Sequence, residues 1–297
     1  MRRCTGIFII LIALVLQAKG QQTPLYTQYM FNQLLYNPAF AGIDPYYQIR
    51  SNHRFQWVGI PDAPLTNALA FHGPHPTLPM GYGGYIYHDV TGPTSQTSIT
   101  GTYAYNIGLT EEMRLSMGLS IGVMQYRVDG TQITLKDPSD QTLQHAVYTS
   151  WVPDANLGLY LYHKDFYVGF STAHLITTQL KLYEPGIGIN KLKTHFFLTA
   201  GYIWEINQNL KLEPSAMLKG SMPNAVQLDI NARVIWQDMV WGGISYRTGD
   251  AVSILIGYSY EEKIYFGYSY DMTLSDLSNY NSGTHEIMIG FRFNDIK

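Results

Sequence analysis

From about residue 46 the chain alternates apolar with small or polar residues over runs of nine positions and more. "MRLSMGLSIGV" (113–123) sets Met113, Leu115, Met117, Leu119, Ile121 and Val123 on one face and Arg114, Ser116, Gly118, Ser120 and Gly122 on the other. "AVQLDINARVIW" (225–236) opposes Val226, Leu228, Ile230 and Val234 to Gln227, Asp229, Asn231 and Arg233. "KLEPSAML", "VSILIGYSY" and "THEIMIGFRF" follow the same rule. A period of two is a strand period. Runs of this length suit strands that cross a bilayer, which need about 9–11 residues, better than soluble-sandwich strands of about 5–6.

Fourteen strands are expected, near 46–54, 66–72, 80–89, 96–106, 113–127, 154–162, 166–173, 193–204, 210–218, 225–236, 240–247, 251–260, 264–271 and 284–293. Many end in aromatic rings: Tyr103 and Tyr105, Trp204, Trp236, Tyr258 and Tyr260, Tyr268 and Tyr270, Phe291 and Phe293. Tyr and Trp favour the membrane–water interface. Short connections at 163–165, 207–209, 237–238 and 261–263 alternate with longer ones, the longest near 128–153 and 174–192. Short periplasmic turns alternating with longer outer loops mark outer-membrane barrels. The fold class is therefore all-β, an antiparallel up-and-down transmembrane barrel of about fourteen strands, spanning 46–297, with a short helical or turn segment before it. An even count puts both barrel ends in the periplasm.

Composition agrees. Charged residues make up 14% of the chain and Tyr alone contributes 24 residues, against about 25% charged in typical soluble domains. Past the leader no apolar run approaches 18 residues, which excludes helical spans. Residues 1–20 read as a signal peptide: Arg2 and Arg3, an apolar stretch from Ile7 to Leu16, then Ala18-Lys19-Gly20 before Gln21. Cys4 lies within it, so the mature chain has no cysteine and no disulfide. Removing Arg2, Arg3 and Lys19 leaves 16 basic against 22 acidic residues, a net charge of −6. That balance, with no basic run, excludes nucleic acid as a partner.

The inward face carries small residues such as Gly118, Ser120, Gly158, Gly169, Gly267 and Gly290, with charges of both signs at Arg114, Lys211, Glu213, Asp229, Arg233, Glu286 and Arg292. Small residues leave room for close approach. Mixed charges offer no single-sign ring for ion selection. Read as wet, this lumen would tolerate Arg at Ser120 far better than lipid would tolerate Arg at Leu119.

"QYMFNQLLYNPAFAG" (28–42) is uncharged, aromatic and ahead of the first strand. Thr23-Pro24 offers a helix start. Leu25, Tyr29 and Leu34 could share a face, and Pro38 forces Asn37 out of the helical region. The segment 21–45 is expected to pack at or in the periplasmic mouth as a plug, with Tyr29, Met30, Phe31, Asn32, Asn37, Pro38, Ala39 and Gly42 as its residues. A helix lying under the barrel or on the inner leaflet surface is the alternative.

Three motifs suggest chemistry and fail in context. "GLSIG" (118–122) matches a serine-hydrolase pattern but is mid-strand, without the strand-to-helix elbow. "HGPH" (72–75) lacks a third metal ligand at suitable spacing. "GYGGY" (81–85) lacks a phosphate loop's strand–turn–helix setting. No catalytic, cofactor or metal residue is assigned, and no enzyme activity is expected.

"YTQYMFNQLLYNPAFAG", followed by "RSNHRFQWVGIPDAPLTNALAFHGP" with Gln56, Trp57, Gly59, Pro61 and Pro64, resembles the N-terminal signature of the PorP/SprF family. The resemblance implies an outer-membrane barrel of the type IX secretion system and its gliding-motility relatives. It implies support for secretion and surface retention of cargo such as adhesins, held by their C-terminal secretion domain. It implies partners among periplasmic or lipoprotein components of that system. A passive channel or small-molecule transporter is the competing reading.

Overall fold

The computed structural model describes residues 23–133, 146–178, 180, 192–221 and 226–295. The leader and the interiors of three loops lie outside them. Fifteen strand segments form one antiparallel sheet. They are Tyr47–Phe55 (β1), Leu65–Pro74 (β2), Met80–Thr91 (β3), Thr94–Gly108 (β4), Arg114–Asp129 (β5), Val147–Tyr162 (β6), Phe166–Ala173 (β7), His195–Tyr202 (β8), Trp204–Asn207 (β9), Leu210–Ser221 (β10), Val226–Trp236 (β11), Val240–Arg247 (β12), Ala251–Tyr260 (β13), Ile264–Thr273 (β14) and Thr284–Phe293 (β15). β8 and β9 both pair with β10 and form one stave, so the barrel has fourteen. Each stave pairs with its neighbours in sequence, and β1 closes the ring on β15 from Tyr47↔Phe293 to Phe55↔His285.

The break between β8 and β9, unforeseen in a strand expected to run through 193–204, has a cause across the ladder. β10 pairs Ser215 with Gly201 and Leu212 with Trp204, skipping Glu213 and Pro214 between them. Pro214 has no N–H to donate. Next to the position facing it, Ile203, opposite Glu213 by register, turns its own N–H to Asp165 O in the β6–β7 turn, at 2.6 Å.

β6 begins at Val147, seven residues before the expected start, so the loop after β5 is shorter than the sequence suggested. Pro153 interrupts the pattern there, yet it lies opposite Val123 of β5. β6 pairs with β7 only from Leu157 onward, so among the described residues Pro153 sits on an edge, where proline is tolerated.

The alternation fixes the faces. Met117, Leu119, Ile121 and Val123 point outward, while Ser116 and Ser120 are buried inside. An apolar outward band bounded by exposed Tyr103, Tyr105, Trp204, Trp236, Tyr260 and Phe293 is the surface a bilayer solvates. At one end the connections are tight. The Trp236–Met239 and Tyr260–Lys263 turns close with hydrogen bonds of 3.0 and 2.9 Å, and Gln237, Asp238, Glu261 and Glu262 hold positive φ of 50–54°, as a two-residue hairpin twist requires. The opposite end carries the longest loops, with two short exceptions, the two-residue β3–β4 connection at 92–93 and the three-residue β12–β13 connection at 248–250.

Candidate functional site

Every residue from Tyr26 to Gly42 except Leu35 is buried, and the groups that bury them are inward-facing strand residues. The segment thus lies inside the barrel. It contains no α-helix. It is a series of turns followed by two 3-10 turns, Gln33–Leu35 and Pro38–Phe40. The helix read from Thr23-Pro24 is absent because the wall takes the donors a helix would use. Thr27 N–H and Gln28 N–H donate to the two carboxylate oxygens of Glu286 at 2.7 and 3.2 Å, and Tyr26 N–H donates to Tyr36 Oη at 2.9 Å.

The tip of the segment meets a charged half of the wall. Thr27 Oγ1 donates to Asp271 Oδ2 at 2.7 Å and accepts from Arg54 Nη1 and Arg247 Nη2 at 3.0 and 3.1 Å. Arg54 pairs with Asp271 at 2.8 Å and Glu286 at 3.2 Å. Asp229 receives Lys219 at 3.0 Å and Arg247 at 3.3 Å. All six charged side chains are at most 2% exposed. Three cations face three carboxylates, so burial leaves no net charge unbalanced. Arg54 lies one residue from the end of β1 that leads into the 56–64 loop, and Arg247 ends β12. The tip therefore reaches the half of the lumen nearer the long loops.

Lower contacts are mixed. Asn32 Nδ2 donates to Asn52 Oδ1 at 2.9 Å, and Tyr29 Oη lies 3.2 Å from Ser215 Oγ. Phe31 packs on Trp241 with ring centroids 4.3 Å apart. The Arg233 guanidinium, itself paired with Glu213, sits 4.3 Å over the Phe31 ring, a cation–π arrangement. Met30 joins the same buried cluster.

The base of the segment meets the β5–β7 part of the wall through amide, hydroxyl and glycine contacts. Pro38 leaves Asn37 extended (φ −133°, ψ 110°), and Asn37 Oδ1 caps the turn by accepting from Ala39 N–H at 2.9 Å. Asn37 Nδ2 donates to Leu159 O at 3.0 Å, and Ser171 Oγ donates to Tyr36 O at 2.7 Å. A Cβ on Gly118 would overlap the backbone of Pro38 and Ala39, and one on Gly158 would overlap the Asn37 side chain. These glycines are therefore contact surfaces for the segment. Gly42 (φ +71°) packs against Gly81 near the tight-turn end, where the chain leaves the lumen.

The remaining signature residues are elsewhere. Gln56, Trp57, Gly59, Pro61 and Pro64 form the β1–β2 loop at the long-loop end. Gln56 N–H donates to Pro64 O at 2.9 Å, Val58 exchanges backbone bonds with Gly283 (2.9 Å) and Ser282 (2.7 Å), and Trp57 and Gly59 hold positive φ. One continuous signature thus serves a lumen contact and a loop platform separated by β1.

The lumen is packed rather than wet around Ser120, which is 1% exposed with its hydroxyl 2.7 Å from Thr102 Oγ1. The expected tolerance of Arg at Ser120 is corrected accordingly. Arg54, Lys219, Arg247 and Asp271, not singled out from sequence, complete the clasp with Asp229 and Glu286. Their signal was inward parity combined with positions near one end of neighbouring strands. His72 is buried beside Phe40, with ring centroids 5.4 Å apart. Among the described residues no group of three His, Cys, Asp or Glu could hold a metal ion.

The fold is that of several solved barrels. The chain superimposes on the Ralstonia pickettii toluene transporter TbuX with a TM-score of 0.53 at 9% identity, covering 95% of this chain and 97% of that one. It matches a Pseudomonas aeruginosa FadL homologue with a TM-score of 0.51 at 13% identity, covering 94% and 96%. The CymD monoaromatic hydrocarbon channel gives 0.50 at 11%, covering 92% and 94%. At these identities the likeness is one of fold. No curated protein matches the sequence. The family model for the type IX secretion system membrane protein PorP/SprF matches residues 18–291. Nearly the whole chain is matched, its architecture is an outer-membrane-type barrel, and the family is one of secretion rather than of enzymes: the chain belongs to the PorP/SprF family.

Proposed function

We propose that this protein is a partner barrel of the type IX secretion system, supporting export and surface retention of particular cargo proteins such as adhesins. In this reading residues 1–20 are a signal peptide cleaved before Gln21, and the barrel sits in a Gram-negative outer membrane with its tight turns in the periplasm. Residues 26–42 are its plug. The plug keeps the barrel sealed, so it works as a scaffold and not as a pore. Cargo binds through its C-terminal secretion domain on the long-loop side, and periplasmic or lipoprotein subunits of the machinery meet the tight-turn side. Gliding motility is the process such cargo serves in the family's relatives.

The observation that carries this reading is the lumen filled by the chain's own uncharged segment, in a member of a secretion family. Deleting the gene tests it. Cargo should disappear from the cell surface and accumulate inside or in the medium. Unchanged surface and medium proteomes contradict it. Pull-down of the intact complex in mild detergent identifies the cargo. The passive channel or small-molecule transporter draws support only from fold neighbours with transporter names. It requires an open path where the segment lies.

A further inference from the structure

One sector of the outward wall departs from the apolar rule. His53 (β1), Asn67 (β2), His88 (β3) and Thr97 (β4) all point outward, since Asn52, Arg54, Thr66, Ala68, Tyr87 and Ser98 beside them are buried inside. They stand side by side across four strands, in the register His53↔Asn67↔His88↔Thr97. His53 Nδ1 donates to Asn67 Oδ1 at 2.7 Å, and His88 Nδ1 lies 2.8 Å from Thr97 Oγ1. Among the described residues His53 Nε2, Asn67 Nδ2 and His88 Nε2 have no hydrogen-bond partner. Unpartnered polar groups are costly on a wall that faces hydrocarbon. Something polar from outside the chain therefore belongs against this row.

Toward the tight turns, the next outward row is Leu69, Ile86 and Ile99, all exposed. The row after it is Phe71↔Gly84↔Gly101. Two facing glycines leave no side chain there. A groove of about 530 Å³ opens between Phe71, Leu69, Tyr82, Ile86 and Ile99, with Gly84 in its lining. At about 3.3 Å per residue along a strand, Gly84 lies about 13 Å from His88. Groove and row form one feature along the strands, an apolar slot with a polar end on the long-loop side.

We propose that this sector binds one glycolipid of the outer leaflet, with an acyl chain in the groove and the acylated amino-sugar head group against the row. Position and charge identify the occupant. The groove lies in the lipid-facing band and follows the strands across it, as an acyl chain in a bilayer would. Its polar end faces the long loops, which places the head group in the outer leaflet. The row offers a donor at Asn67 Nδ2 and an acceptor at His53 Nε2, and a few such placed groups fix a ligand's orientation. No Lys or Arg stands in the row, and Arg127, one outward row higher on β5, is paired with Asp129 at 3.3 Å. The hydroxyl and amide groups of an acylated sugar match that neutral mixture better than a lone phosphate or ammonium. This rests on the reading of the barrel in an outer membrane with its long loops outside, and adds a ligand on its outer wall.

Native mass spectrometry of the full-length protein tests it, after reconstitution in vesicles holding lipid A and phosphatidylethanolamine in equal amounts and extraction in mild detergent. The wild type should retain one lipid A per barrel, about tenfold in preference to phosphatidylethanolamine. Gly101→Leu fills the groove from a position where an added Cβ meets nothing nearer than 3.9 Å, and should lower retention about tenfold. The pair His53→Leu and His88→Leu should do the same, although on a bare lipid-facing wall Leu is the better residue. Ile254→Ala, exposed on β13, should stay within about twofold. Heat-resistant migration shows that each variant is folded. Equal retention of both lipids, or retention unchanged by the groove and row variants, overturns the site. Maleimide labelling of Tyr280→Cys on intact cells, at an exposed position between β14 and β15, reads the placement separately. Absent labelling removes the placement and the leaflet assignment with it. Labelled cells with lipid counts unchanged by the variants remove the lipid site alone.

Discussion

Leu119 and Ser120 are adjacent and face opposite solvents, and the alternation in "MRLSMGLSIGV" was enough to assign each side. Arg at Leu119 places a charge in the lipid-facing band and should cost about 2–4 kcal/mol at the bilayer midplane, read as a shift in denaturant unfolding from vesicles. What the alternation could not show is how full the lumen is. Parity tells a side chain's direction and nothing about what it meets, so Ser120 read as wet when it is packed. Arg there should instead be damaging by overcrowding, and Ser120→Ala, which takes the partner from the buried Thr102 hydroxyl, should cost about 1–3 kcal/mol in the same titration. Glu286 has a sharper role. It is 0% exposed and accepts from two backbone N–H groups of the segment and from Arg54. Glu286→Ala leaves buried donors without an acceptor and should cost about 3–5 kcal/mol. Arg54 and Asp271 were equally inward by parity, but their partnership required the closure of β1 on β15, a contact more than 200 residues apart in sequence.

Strands were the legible elements because a two-residue period writes itself along the chain. Their boundaries moved where proline met an edge or a gap, at Pro153 and Pro214. The segment before them was harder. Its helix-like spacing was real, yet Thr27 and Gln28 give their N–H groups to a carboxylate supplied by the last strand. Local propensity yields to a charged tertiary acceptor that no window of the first forty residues contains. Pro38 and Asn37 were readable because their effect is local: an extended residue before proline and a capped turn after it. Hydrogen exchange should find Phe31, Leu35, Tyr36, Asn37, Phe40 and Ala41 N–H protected, each bonded within the segment at 2.8–3.3 Å. Exchange at the rate of a disordered tail would contradict the packing. Gly118→Leu should push against Pro38 and Ala39 and weaken that protection, whereas Gly101→Ala, where the nearest atom to an added Cβ lies 3.9 Å away, should leave it intact.

The barrel as a whole couples an outward band built for lipid to an interior occupied by the chain itself. Sequence identity to the neighbours described above, 9–13%, shows only the shared fold. A fourteen-stave ring emptied of its segment would leave a polar lumen lined by Ser, Asn and balanced charges, through which small ions should pass. Single-channel recording in planar bilayers therefore tests the central claim. The full-length protein should remain closed, and the chain lacking residues 26–42, if folded by its heat-resistant migration, should give steady ion-conducting steps. Steady conductance of the intact protein, equal to that of the deletion, would contradict a barrel sealed by its own N-terminal segment.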